Sequence, residues 1–407
     1  MGLNAQTSGE RVHIGFFGLR NAGKSSVVNA VTGQSLSVVS DVKGTTTDPV
    51  KKAMELLPLG PVVIIDTPGI DDEGTLGAER VRRALRVLDE TDAAVLVVDA
   101  VRGLQTADRE LLALFRQREI PYVVVYNKSD LLDRPAVPEP NALCVSARSG
   151  AQIRELKEYL ARMVRGAESE KPLVEDLLAP KDLVVLVTPI DSAAPKGRMI
   201  LPQQQTIRAV LDAGAVSLVT KETELERTLQ VLREKPRIVI TDSQAFGPVS
   251  KVVPEDVPLT SFSILFARYK GDLVQLVQGA ARLGSLHSGD RVLISEGCTH
   301  HRQCDDIGTV KLPRWLQAYT GKELQFDFTS GGEFPEHPDR YALIIHCGGC
   351  MLNNRSMCSR MRRARQAQVP MTNYGVAIAQ IHGILERALR PFPEAYTAWK
   401  AVFAEEK

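Results

Sequence analysis

Gly18-x-x-x-x-Gly23-Lys24-Ser25 constrains this chain more than any other stretch. An apolar run, His13 to Phe17, precedes it, and a helical pattern, Ser26 to Thr32, follows. A loop of this spacing works only where a strand hands over to a helix. Its glycines let backbone N–H groups close around phosphates, and the helix N-terminus adds a favourable dipole. The chain must therefore begin with a parallel sheet carrying helices. Lys24 is placed to bridge the β- and γ-phosphates and Ser25 to hold Mg²⁺, with Asn21, Ala22 and Ser26 completing the cradle.

Three further motifs decide which nucleotide. Asp66-Thr67-Pro68-Gly69 follows the apolar run Val62 to Ile65, so Asp66 reaches the Mg²⁺ shell and the Gly69 N–H senses the γ-phosphate. Asn127-Lys128-Ser129-Asp130 follows Tyr122 to Tyr126 and resembles the guanine-specificity motif, in which Asp130 accepts from the N1 and 2-amino groups. Ser146-Ala147-Arg148 resembles the turn that supports the base. Chance motifs on a metabolic enzyme would not supply four elements in order, each at a strand end. The expected ligand is GTP. In the segment Lys43 to Asp48, resemblance to Era-like GTPases of the translation-factor class favours Thr46 as the residue closing over Mg²⁺ and the γ-phosphate. Ile70 stands where Ras-like enzymes carry a water-orienting glutamine, and Asn21 matches the asparagine that holds K⁺ in the potassium-activated subgroup.

With 407 residues the chain exceeds one ordinary core, and strand-like and helical patterns alternate to its end. The expected architecture is α/β with three domains: a nucleotide domain over 1–166, a small βαβ dimerisation domain over 177–258, and a metal-binding α/β domain over 259–407. Leu183 to Thr188, Ala215 to Thr220 and Arg237 to Thr241 read as strands of the middle block. That block lacks catalytic-looking residues and has sheet edges that a second copy of the chain can cover, so a homodimer is expected. Arg291 to Ser295, Leu324 to Phe328 and Tyr341 to His346 read as strands of the last block, and Gly375 to Arg390 as a helix ended by Pro391 and Pro393. A formal net charge of +1 gives no field drawing the chain to nucleic acid or to a membrane. The first ten residues are polar, fail the myristoylation pattern at Gln6, and no apolar run approaches the roughly 20 residues of a membrane span, so a cytoplasmic protein is expected.

Five of the six cysteines fall between Cys298 and Cys358, whereas Cys144 sits in a strand-like run and reads as a small buried hydrophobe. Cytosolic thiols stay reduced, so the clustering points to ligand chemistry rather than disulfides. Cys298-x-His300 follows one expected strand and His346-Cys347-x-x-Cys350 another, and strand ends of a parallel sheet meet in one crevice. Three cysteines and a histidine suit structural zinc. Three thiolates with a variable fourth ligand suit a 4Fe–4S cluster. His300 and His346 compete for the fourth position, and Cys304 and Cys358 read as accessory. The run Arg360 to Arg365 reads as a solvated helix face, or as a receiver of an anionic metal fragment or an acidic partner.

Taken together, these residues resemble the HydF family of GTPases that mature FeFe hydrogenase. The resemblance rests on the Cys-x-His and His-Cys-x-x-Cys pair behind an Era-like nucleotide domain, and on Pro195 to Gln203 at the start of the middle domain. Arg148 departs from the family's usual lysine, and Cys304 and Cys358 lie outside its pattern. The resemblance implies a scaffold that receives a diiron precursor from two radical-SAM maturases and delivers it to apo-hydrogenase, with GTP hydrolysis gating the exchange. A GTPase of tRNA modification or ribosome assembly with structural zinc is the competing reading. The near-zero charge and missing aromatic platform count against it.

Overall fold

The computed structural model describes residues 8–34, 49–69, 85–133, 140–167, 171–189, 199–297 and 306–405. The chain divides into two compact units, 1–169 and 170–407.

The first unit is built on six strands: β1 (Val12–Phe17), β2 (Val50–Leu56), β3 (Gly60–Asp66), β4 (Ala93–Asp99), β5 (Tyr122–Asn127) and β6 (Ala142–Cys144), in the order β2-β3-β1-β4-β5-β6. Apolar–polar alternation is absent from β4, which reads Ala-Ala-Val-Leu-Val-Val-Asp and is buried along nearly its whole length. That is the pattern of a parallel strand covered on both faces. Ile14, Phe16, Val95 and Val97 face the helices Lys24–Thr32 and Ile153–Ala167, whose Val27, Val31, Leu156 and Leu160 complete one core layer. Phe17, Leu96 and Val98 face the helix Thr106–Gln117 through Leu111, Leu112 and Phe115 in the other. Among the described strands of this sheet only β2 runs antiparallel, against β3. It is an edge strand carrying exposed Lys51 and Lys52, a polarity that hides it from an apolar pattern search and discourages edge pairing. β1 pairs with β3 on one side and β4 on the other. The chain thus changes direction at β1, and the phosphate loop opens into the crevice this creates.

The second unit holds two four-stranded sheets. One has the order β10-β9-β7-β8, from β7 (Leu183–Val187), β8 (Val216–Thr220), β9 (Ile238–Thr241) and β10 (Leu259–Ser261). The other has the order β12-β11-β13-β14, from β11 (Arg291–Ser295), β12 (Gln325–Thr329), β13 (Leu343–His346) and β14 (Met371–Asn373). All pairings in both are parallel. One continuous apolar core joins them, from Val184 and Ile240 through Phe262 and Leu276 to Ile294 and Ile345. Gly279, on the helix Leu273–Ala281, lies so close to the Met371 carbonyl of β14 that a Cβ there would collide with backbone. β10 and β14 have three residues each, too few to show a period. The helix expected over 375–390 is two, Tyr374–Ile381 and Leu385–Leu389, parted at Gly383 where φ is +71°. Pro393 does not end a helix but begins one, Pro393–Glu405, because a missing N–H costs nothing in the first turn. Among the described residues no helix is long and apolar enough to cross a membrane.

Candidate nucleotide and metal sites

Gly18, at φ +140°, passes so near the Val97 carbonyl that no side chain would fit, and Asn21 and Gly23 take φ of +62° and +88°. This left-handed backbone curls the loop before the helix begins at Lys24. Lys24 is buried, and its ammonium donates to the carbonyls of Gly18 (3.0 Å) and Leu19 (2.8 Å). Ser26 stands in the same first helical turn. Ser25 Oγ donates to Asp66 Oδ2 at 2.8 Å, so the two oxygens expected around Mg²⁺ are adjacent although 41 residues apart. Asp66 Oδ1 is buried with no hydrogen-bond partner among the described residues. An orphaned carboxylate oxygen beside a serine hydroxyl fits a hydrated divalent cation, whose water it would receive. The Thr67 hydroxyl anchors this turn to the Phe16 carbonyl at 2.7 Å. Gly69 lies against the Arg20 backbone, where a Cβ would be 3.0 Å away.

Asn127 joins the two halves of the nucleotide site. Its Nδ2 donates to the Ala22 carbonyl of the phosphate loop, and its Oδ1 accepts from the Ala147 N–H of the turn expected to support the base, each at 3.1 Å. Lys128, at φ +68°, donates to the Asn21 carbonyl (2.8 Å) and to Asp99 (2.6 Å). Burial alone would raise the Asp99 carboxyl, but Lys128 and the Val101 N–H outweigh it and hold the group below the ordinary carboxylate range. Ser146 Oγ donates to Asp130 Oδ1 at 2.6 Å and accepts from the Ser149 N–H at 3.1 Å. The Asp130 carboxylate is thereby oriented while the residue stays exposed. Asn21 is exposed at the rim of the loop. Thr46 and Ile70 lie outside the described residues.

In the second unit, Ser295 and His346 are register partners at the ends of β11 and β13. The segments after them therefore leave the sheet side by side. The Cys347 N–H donates to the Ser295 carbonyl at 2.9 Å, and Cys347 Sγ accepts from the N–H groups of Gly297 (3.0 Å) and Gly349 (3.4 Å). Gly349 has φ of +64°, the turn that brings Cys350 back toward Cys347. Burial first, then the neighbouring Cys347, pushes the Cys350 thiol up, a cost that a metal removes by taking both as thiolates. Backbone N–H groups aimed at a cysteine sulfur are the donor chemistry that iron–sulfur clusters use, so Cys347 and Cys350 fit such a group. Cys298, which follows Gly297 in the chain, lies with His300 and Cys304 outside the described residues. Among the described residues alone no three His, Cys, Asp or Glu side chains gather as around a metal.

His346 is fully buried, and both its ring nitrogens are engaged. Nδ1 lies 2.7 Å from the Cys347 carbonyl and Nε2 lies 2.8 Å from Arg360 Nη1. A carbonyl only accepts and a guanidinium only donates, so the proton sits on Nδ1. Held this way, the ring orients Cys347 and presents no lone pair outward. Arg360 corrects the solvated-face expectation for its run. It is 5% exposed, donates to the Gly331 carbonyl at 2.7 Å and lies over the Phe334 ring. The helix Asn354–Gln366 buries Met357, Arg360, Met361 and Ala364, a spacing of helical period, while Arg362 and Arg365 stay outside. Lys270 escapes the sequence reading. It is 3% exposed and donates to the carbonyls of Gly349 (3.2 Å), Cys350 (3.2 Å) and Leu352 (2.8 Å), closing the cysteine loop from below. A lone lysine at a helix end gives no sequence signal for this. Cys358 is exposed, with its sulfur 3.8 Å from the Lys270 carbonyl, and Cys144 is half-buried on β6.

Three family models match the chain in succession. Residues 13–128 match the family model of the 50S ribosome-binding GTPase, residues 173–271 the hydrogen maturase F dimerization domain, and residues 274–391 the hydrogen maturase F tetramerization domain. Among curated relatives, the tRNA modification GTPase MnmE of Laribacter hongkongensis is 37% identical over 161 residues, 38% of this chain and 35% of that protein. GTPase Der of Nitratidesulfovibrio vulgaris is 34% identical over 166 residues, 36% of this chain and 34% of that protein. The chain thus spans about a third of the length of the curated relatives it matches. Among solved structures, Era of Aquifex aeolicus bound to GDP and aluminium fluoride is 17% identical with a TM-score of 0.35, covering 81% of this chain and 96% of that one.

Proposed function

This chain belongs to the hydrogen maturase F (HydF) family, and from that premise we propose that it is a GTP-hydrolysing scaffold in FeFe-hydrogenase maturation. Its cargo is the diiron precursor of the hydrogenase active site, received from two radical-SAM maturases and passed to apo-hydrogenase. What supports this reading is the pairing, on one chain, of a GTPase domain with a cysteine loop in which the Cys347 sulfur accepts two backbone N–H groups.

In the nucleotide domain, Lys24 and the loop N–H groups neutralise the phosphates, Ser25, Thr46 and Asp66 hold Mg²⁺, and Gly69 reports the γ-phosphate. Asn127, Lys128, Asp130, Ser146 and Ala147 select guanine. Asn21 supplies a ligand for K⁺, whose charge would replace an arginine finger. In the second unit, Cys298, Cys347 and Cys350 hold a 4Fe–4S cluster, and the fourth position is left to His300 or to an exchangeable group. With both ring nitrogens engaged inside the protein, His346 acts as a positioning residue. When bound, the cluster supplies an iron site at which a cyanide nitrogen of the diiron cargo can dock. The dimerisation and tetramerisation regions make the chain a homo-oligomer, and the domain boundaries proposed are 1–166, 177–258 and 259–407. A coupling of about 1–3 kcal/mol between nucleotide state and partner affinity suffices to gate exchange.

The test is reconstitution. Full-length protein incubated anaerobically with the two maturases and their substrates, then desalted, should switch on hydrogen evolution by purified apo-hydrogenase. Preparations that hold iron yet leave the hydrogenase inactive would contradict the carrier role.

A further inference from the structure

Side chains grip the phosphate loop by its carbonyls. Lys24 holds those of Gly18 and Leu19, Asn127 holds that of Ala22, and Lys128 holds that of Asn21 at 2.8 Å. Lys24 is the residue expected on the phosphates, which leaves Asn127 and Lys128 as anchors that no phosphate claims. The Asn21 carbonyl has the greater need of one. Asn21 is exposed and takes φ of +62°, in the left-handed region that favours glycine, so little packing resists a change in this turn. Its anchor is itself a third exposed, and a lysine that open to water gains little from a single neutral carbonyl. Asp99 changes that. One carboxylate oxygen accepts from Lys128 at 2.6 Å and the other from the Val101 N–H at 2.9 Å, with the side chain 13% exposed. Asp99 ends β4, inside the sheet between β1 and β5, so the charge that draws Lys128 onto the loop is itself fixed.

We propose that Asp99 is a positioning residue for GTP hydrolysis: acting through Lys128, it fixes the Asn21 carbonyl and keeps the phosphate loop in the shape the reaction requires. The proposal rests on the hydrolytic reading of the loop given above, and it adds a residue that stands outside every nucleotide motif of the sequence. Backbone donors aimed in advance count most where charge develops in the transition state. Loosening the loop should therefore slow turnover more than it weakens nucleotide binding. Selection of guanine, assigned to Asp130 with Ser146 and Ala147, does not pass through Asp99. An ion pair that served stability alone would leave turnover untouched in the folded protein.

The experiment compares full-length wild type, D99N, D99S, D99E, K128M and the double variant D99N/K128M, all assayed well below their melting transitions. Two uncharged replacements of Asp99 are included so that one can stand if the other does not fold. Steady-state GTP hydrolysis gives kcat and KM, and titration calorimetry gives affinities for GDP and for IDP, which lacks the 2-amino group. D99N and D99S should lower kcat by about tenfold, since small misplacements of a reacting site are costly. KM and the preference for GDP over IDP should stay within about twofold of wild type, and D99E, which keeps the charge, should recover most of the rate. In the K128M background D99N should cause no further loss, because its effect runs through the missing ammonium. Wild-type kcat in D99N and D99S would overturn the proposal, as would a D99N loss of the same size with or without Lys128. A change confined to KM and to the GDP preference would overturn it too, placing Asp99 in base recognition. A wild-type protein that does not hydrolyse GTP would overturn the hydrolytic reading and this proposal together.

Discussion

Replacing Asn127 with alanine tests the claim that one side chain ties the phosphate loop to the base-binding turn. Asn127 is 3% exposed, and both of its hydrogen bonds, to the Ala22 carbonyl and from the Ala147 N–H, measure 3.1 Å. Each such bond contributes about 0.5–1.5 kcal/mol net, and a partner left stranded in a buried place costs about 1–3 kcal/mol. The pair together should therefore cost about 2–4 kcal/mol. Both bonds are intramolecular, so the loss falls on the folded domain itself and not only on nucleotide affinity. For a body of this size each kcal/mol lowers the melting temperature by about 2–4 °C, which places the expected drop at roughly 4–16 °C. Calorimetry on the full chain can read it, because added GDP identifies the transition of the first unit by raising it. GDP affinity by titration calorimetry should weaken in parallel by about tenfold or more. A variant whose GDP-sensitive transition moves by less than about 2 °C would refute the bridging role.

Asp99→Asn removes the carboxylate that meets Lys128 and should cost about 1 kcal/mol at neutral pH. The Asp99 carboxyl is held below 3.8 when folded, so its contribution is complete above that value and is lost as pH falls through the folded pKa. Melting curves of wild type and D99N should therefore converge on acidification below 3.8, and a gap that persists or widens there would contradict the assignment. Gly279→Ala drives a Cβ into the Met371 carbonyl and should destabilise the second unit by about 1–3 kcal/mol without moving the GDP-sensitive transition. GTP turnover should be faster in K⁺ than in matched Na⁺ buffer, and Asn21→Ala should abolish the difference. Equal wild-type rates would remove the potassium site.

What the sequence reveals follows from how each signal is written. The phosphate loop, Asp66, Asn127 and Ser146 are legible because each sits at the end of a continuous apolar run, and the structure brings those runs, parallel to one another, into one sheet. β2 escapes because an edge strand with adjacent lysines has no apolar face to show. β10 and β14 escape because three residues carry no period. Near the cysteines, the spacing of Cys347 and Cys350 raises the expectation of ligand chemistry, and the register of Ser295 with His346 gives the physical reason that Gly297 and Cys347 meet. His346 looks like a ligand because sequence shows an imidazole beside a thiol but not where its nitrogens point. Only the structure shows Arg360 and the Cys347 carbonyl using both. Arg360 hides within a run of arginines, although Met357 and Met361 at helical spacing mark which side of that run turns inward.

Whether a GTPase of this family carries an iron–sulfur cluster on its cysteine loop is decided by metal and acid-labile sulfide analysis of anaerobically purified full-length protein, with EPR after dithionite reduction. About four irons and four sulfides per chain and a reduced-cluster signal are expected, both lost when Cys347 is replaced by serine. One zinc per chain, with neither sulfide nor a signal, would contradict the cluster reading.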